Sequence, residues 1–142
     1  MKKKILNRFT IIMLLGVLTV CSVYAQNVNV AQMTEEQRQT YLISTAKTAC
    51  KKFPNFYREN AVVSIEKQKA VTLTATEASK VYNNPKSPWY GMKAGEIYYS
   101  VTFRPCNNEK FEWGFAACVD IRENTGKAFE IQLGNGFIYP VK

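Results

Sequence analysis

Glu112-Trp113-Gly114-Phe115-Ala116-Ala117-Cys118-Val119-Asp120-Ile121-Arg122, then Glu123-Asn124-Thr125-Gly126-Lys127, then Ala128-Phe129-Glu130-Ile131-Gln132-Leu133, reads as a β-hairpin. On the way in, Trp113, Phe115, Ala117, Val119 and Ile121 are apolar at every second position, and Phe129, Ile131 and Leu133 repeat that period on the way back. A period of two is the spacing of a strand with one buried face. Asn124 and Thr125 suit the centre of a type I turn, and Gly126 can take the left-handed conformation that closes a three-residue hairpin loop with a bulge. Placing Glu123 opposite Lys127 sets Ile121 against Phe129, Val119 against Ile131 and Ala117 against Leu133. A one-residue slip would separate every one of these apolar pairs. The fold class follows from this hairpin; a function does not.

Upstream, residues 96–105 form a further strand with Tyr99, Val101 and Phe103 on one face. The short connection Cys106-Asn107-Asn108-Glu109-Lys110 predicts Phe103 opposite Trp113 and Val101 opposite Phe115. Alternation at Val63 and Ile65, and again at Val71, Leu73 and Ala75, predicts two short strands broken at Lys67-Gln68-Lys69. Thr74-Ala75-Thr76-Glu77 can equally cap a short helix running through Tyr82. The clearest helix opens at Thr34-Glu35-Glu36-Gln37, a capping box with acids in the first turn. Leu42, Ala46, Ala49 and Phe53 follow on one face, and Pro54 ends it. Residues 27–33 are a polar, mobile lead-in. The sum is one α+β domain over residues 26–142, an N-terminal helix on a four- to five-stranded antiparallel meander.

Residues 1–25 read as an export signal. Lys2, Lys3, Lys4 and Arg8 precede an apolar run at 11–20, and Val23-Tyr24-Ala25 offers a cleavage site before Gln26. Leu18-Thr19-Val20-Cys21 loosely resembles a lipobox, which leaves lipid anchoring at Cys21 as the alternative to cleavage. The apolar run is too short to span a bilayer, so no stable membrane insertion is expected after cleavage. The signal holds four of the 19 basic residues and none of the 11 acidic ones, which leaves 15 against 11, or +4, on the mature chain. With the basic residues scattered, nucleic-acid binding is not expected.

The chemistry of catalysis is thin. The chain has no histidine, which removes Ser-His and Cys-His nucleophile pairs and histidine-ligated zinc. No CxxC spacing and no Gly-rich phosphate loop occurs, so no cofactor, metal or catalytic residue is expected. The register sets Asp120 opposite Glu130 with Arg122 diagonal to both. The expected reading is a solvated cross-strand cluster neutralised by Arg122; the alternative is an acid/base pair. Export implies an oxidising space and one disulfide among Cys50, Cys106 and Cys118. A regular meander puts Cys118 opposite Tyr98, roughly 26 Å along the strand from Cys106. Cys50, near the helix end, can then meet Cys106 in its loop, or Cys118 if the small face of Ala116 and Cys118 lies under the helix. Cys50–Cys106 is the expected pair, with three buried free thiols as a further alternative.

The partner-binding residues are expected in the loop at 83–95, where a Pro85-Lys86-Ser87-Pro88 frame presents Trp89 and Tyr90. Lys86, Pro88, Trp89 and Tyr90 are the candidate contacts, since rigid loops with aromatic tips suit interfaces. The alternative is Trp89 tucked beneath the loop to cover the sheet. A competing class is a small-molecule pocket or enzyme site between helix and sheet, lined by Tyr82, Trp89, Tyr98 and Tyr99.

The hairpin Ala117-Cys118-Val119-Asp120-Ile121 with Thr125-Gly126-Lys127 and Ala128-Phe129-Glu130-Ile131 resembles the strand–TGK–strand hairpin of PepSY-like domains. The helix-first, sheet-after order is similar to the wider cystatin-like group, which includes NTF2-fold immunity proteins. That resemblance implies a non-enzymatic exported module that binds or inhibits a protein, as propeptides, inhibitors and immunity proteins of these groups do. The cystatin Gln-x-Val-x-Gly loop is not matched by Gln68-Lys69-Ala70-Val71-Thr72, and Pro88-Trp89 resembles the cystatin Pro-Trp wedge at a mid-chain position.

Overall fold

A computed structural model describes residues 27–142; the expected export signal, its expected cleavage site and Cys21 lie outside the described residues. Helix α1, Glu35–Cys50, packs on one face of a five-stranded antiparallel sheet. Strands β1 (Val63–Lys69), β2 (Ile97–Phe103), β3 (Ala117–Arg122), β4 (Ala128–Leu133) and β5 (Ile138–Pro140) are neighbours in chain order, a simple meander. A short helix α2, Ala75–Val81, lies between β1 and β2. Among the described residues no helix is long and apolar enough to cross a membrane.

α1 begins as the sequence predicts. Thr34 Oγ1 accepts from the Gln37 amide, and the Thr34 amide donates to Gln37 Oε1. Its stripe of Leu42, Ala46, Ala49 and Cys50 is buried against Tyr99, Val101 and Phe103 of β2, Ala117, Val119 and Ile121 of β3, and Ile131 and Leu133 of β4. These side chains close the space between helix and sheet.

The hairpin differs in one place. Val119 faces Ile131 and Ala117 faces Leu133 as expected, but Ile121 faces Ala128 across a bulge. The turn is closed by Arg122 and Lys127, so it holds four residues; the Gly126 amide donates to the Arg122 carbonyl with Gly126 at φ +65°. The bulge absorbs the offset and turns Phe129 away from α1, into a second cluster with Ala70, Tyr82 and Met92.

Further corrections follow from loops. Residues 104–116 are irregular, so β3 starts at Ala117 and Phe103 faces Ala117 rather than Trp113. Cys118 accordingly faces Thr102, not Tyr98. Lys67-Gln68-Lys69 completes β1 without a break, and residues 71–75 are not a strand: Thr74 caps α2 with Glu77 in a second capping box. The lead-in is docked. Val28 and Val30 donate to the Thr125 and Glu123 carbonyls of the hairpin turn, and Val30 is fully buried.

The cysteines among the described residues are all free thiols, so the expected Cys50–Cys106 bridge is not formed. Cys50 packs in the helix–sheet core, while Cys106 sits in the 104–116 loop with its amide held by Glu109. Cys118 alternates with the core residues Ala117 and Val119 and points to the opposite face of the sheet, against the Thr102 hydroxyl. Burial pushes the Cys50 thiol up to about 12 and the Cys118 thiol up to about 11. Buried thiols of this kind are protonated and inert.

Candidate functional site

The sheet face turned away from α1 is polar. Its middle row crosses four strands: Glu66 on β1 faces Ser100 on β2, Ser100 faces Asp120 on β3, and Asp120 faces Glu130 on β4. Alternation puts their side chains on the same side. Tyr98, Thr102, Cys118, Arg122 and Gln132 share that face.

Asp120 is 3% exposed and Glu130 5%. The pair is therefore buried, which corrects the expectation of a solvated cluster. Arg122 does not neutralise it. The guanidinium donates to the Tyr90 carbonyl at 2.6 Å and lies over the Phe129 ring. Among the described residues no lysine or arginine reaches ion-pair distance of either carboxylate. Neutral donors serve instead. Ser100 Oγ donates to Asp120 Oδ1 at 2.7 Å, Gln132 Nε2 to Glu130 Oε1 at 2.8 Å, and Trp89 Nε1 to Glu130 Oε2 at 2.8 Å. The same Gln132 amide reaches Asp120 Oδ2 at 3.5 Å.

Burial pushes the Asp120 carboxyl up from 3.8 to about 6; the facing Glu130 adds to the rise and the Ser100 hydroxyl opposes it. Between those two pH values the folded chain holds a proton that the unfolded chain has released, so stability falls as pH climbs through this window. The full penalty, present above the upper value, is about 3 kcal/mol at 1.36 kcal/mol per unit. Asp120→Asn removes it. The variant is expected to gain up to about 3 kcal/mol at neutral pH and little at pH ~4, read by urea unfolding at both. An equal gain at the two pH values would mean that charge is not what destabilises the native pair.

The loop candidates divide by exposure. Trp89 packs edge-on against Tyr98 and Phe129, with ring centroids 5.1 and 5.0 Å away, and beside Tyr82. Pro88 is half-buried, while Lys86 and Tyr90 are exposed. The loop thus lies against the sheet through Trp89 and offers Lys86 and Tyr90 to solvent. Tyr82, Trp89 and Tyr98 come together as a packed cluster, but Tyr99 faces α1 on the other side of the sheet. A separate cleft of about 220 Å³ lies at the open edge of α1, between Glu35, Arg38, Gln39 and Leu42 of the helix and Ile65, Lys67 and Tyr99 of the sheet. It falls short of the roughly 300 Å³ at which small-molecule pockets usually begin.

An aromatic surface lies at the other end. Phe53, just after α1, stacks on Tyr139 at 5.2 Å, and Tyr139 stacks on Phe137 at 6.3 Å. Trp113 adjoins Gly136, where an added Cβ would meet its ring at 3.6 Å. Phe137, Ile138, Tyr139 and Trp113 are all more than a third exposed. The signal for it was present in Gly134-Asn135-Gly136, a turn that returns a short last strand to the sheet edge, where both faces stay open.

Comparison with known proteins finds no matching family model, no matching curated protein and no matching solved structure.

Proposed function

We propose that this protein is an exported, non-enzymatic binding or inhibitory module with a PepSY- or cystatin-like relationship, and that it recognises a protein partner. The observation that carries the reading is the exposed pair of Phe137 and Tyr139, stacked onto the half-buried Phe53, with the exposed Trp113 beside them. Large apolar groups gathered at the surface mark interaction sites, and aromatic residues supply most of the energy of such contacts. The cleft between α1 and the sheet, at about 220 Å³, is smaller than ordinary small-molecule pockets, which supports a surface over an internal pocket. Lys86 and Tyr90, exposed at the loop tip, form the second contact.

Pull-down from the native exported fraction tests this. The double variant Phe137→Ala/Tyr139→Ala is expected to weaken capture at least about tenfold, or ~1.4 kcal/mol, while its unfolding midpoint stays near wild type. If Tyr90→Ala alone abolishes capture, the loop is the contact and the aromatic row is not. If neither variant changes what is retained, the protein-binding reading fails.

A further inference from the structure

Asp120 and Glu130 face each other directly across β3 and β4, both buried, with no cation among the described residues to offset them. Opposed residues of an antiparallel pair hold their Cβ atoms about 5 Å apart. Two ionised carboxylates that close in a dry site repel strongly, so such pairs retain one proton between them. This pair is also mechanically connected. The only indole of the 83–95 loop donates to Glu130 Oε2, and Arg122, next along the strand face from Asp120, holds the Tyr90 carbonyl of the same loop.

Titratable and charged groups of the neighbouring elements face the pair. From β2, Tyr98 is raised above the ordinary tyrosine value by burial and then by the two carboxylates. From β3, Cys118 lies near 11, and Arg122 remains a cation engaged by the loop. From β1, Glu66 continues the row beyond Ser100; from β4, Gln132 is neutral. Tyr82, which follows α2, is raised by burial. The chain contains no histidine, the side chain that ordinarily responds between about pH 5 and 8.

We propose that the Asp120–Glu130 pair is a proton latch for the 83–95 loop: one shared proton keeps Glu130 available to the Trp89 indole, and release of that proton to solvent loosens the loop. With both carboxylates ionised, repulsion across the strands is relieved by Glu130 turning outward, which takes the indole's acceptor with it. Docking of the loop then depends on pH, and so does the presentation of Lys86 and Tyr90 on its tip.

The chain contains two tryptophans, so Trp113→Phe leaves Trp89 as the sole indole reporter. In that background, acrylamide quenching of Trp89 is expected to rise about twofold or more between pH ~5 and ~8, in a one-proton transition. Asp120→Asn in the same background should hold quenching at its low, acid-side level throughout. Because Asp120 is the only aspartate in the chain, ¹³C labelling of aspartate gives one carboxyl resonance. Its titration should coincide with the quenching transition and move down in Glu130→Gln. This second measurement stands even if Asp120→Asn does not fold. Quenching that is flat with pH, quenching that still changes in Asp120→Asn, or an Asp120 resonance titrating at the ordinary aspartate value each overturns the latch.

Discussion

Trp89→Ala is expected to destabilise the protein by about 4 kcal/mol, within the range for truncating a packed aromatic. The indole packs among Tyr82, Tyr98 and Phe129, and surroundings relax only partially around a truncated aromatic. Its N–H is also a donor to Glu130. Removing it leaves Glu130 Oε2 buried without that bond, a penalty of about 1–3 kcal/mol that adds to the cavity. Trp89→Phe separates the two effects, since it restores most of the volume and none of the hydrogen bond; it should recover more than half of the loss. Tyr90→Ala, one residue along and exposed, should stay within about 0.5 kcal/mol of wild type. Chemical unfolding of the three variants at one pH decides the matter. A Trp89→Ala protein as stable as wild type would return the indole to the role of an exposed contact.

The contrast between Trp89 and Tyr90 marks where sequence reading stops. Two aromatics in a Pro-framed loop carry the same local signal. Which one turns inward depends on Phe129, and Phe129 is on that face only because a bulge follows a four-residue turn. The period-two pattern specified the hairpin and its Val119–Ile131 and Ala117–Leu133 pairs, since apolar burial fixes register where both strands are regular. It could not locate the bulge, because shifting one residue near a turn leaves the rest of the pairing intact.

The first helix was legible for a different reason, and the second stood in the sequence as one of two options for the same reason. Thr34 to Gln37 and Thr74 to Glu77 are capping boxes whose partners lie three residues apart in the chain. Local hydrogen bonds need no tertiary information. The reverse holds for the carboxylate pair. The sequence gives two facing acids and a nearby arginine, and surface chemistry is the ordinary outcome of that pattern. The loop at 83–95 came down on the pair through the Trp89 indole, and the arginine was drawn to the Tyr90 carbonyl. The four-residue error between β2 and β3 has a similar origin: Trp113 and Phe115 alternate like a strand, yet they belong to a loop.

That loop supplies the largest expected effect. Gly134→Ala should cost at least ~4 kcal/mol, the scale reserved for a disrupted core or backbone. Gly134 follows β4, with its amide donating to the Ala116 carbonyl at 2.9 Å and its carbonyl accepting from the Trp113 amide at 3.1 Å. A Cβ there would stand 1.9 Å from the Phe115 carbonyl oxygen and 2.7 Å from the Phe111 Cβ. The nearer atom is backbone, so no rotamer change relieves the overlap; the loop must leave β4, and both hydrogen bonds go with it. Gly136 is the informative control. It carries φ +90°, yet its nearest neighbour is the Trp113 ring at 3.6 Å, so Gly136→Ala should cost only the ~1–2 kcal/mol of a left-handed backbone. The order of the two is the test, because a rule based on φ alone ranks Gly136 as the worse site and contact ranks Gly134. Trp113 hangs from the displaced segment, so Gly134→Ala should also disorder that side of the aromatic row. On the proposed protein-binding reading, capture of a partner by any Gly134→Ala protein that remains folded would then fall, while Gly136→Ala retains it. Equal stability of the two variants would mean that residues 111–116 yield far more easily than their packing implies.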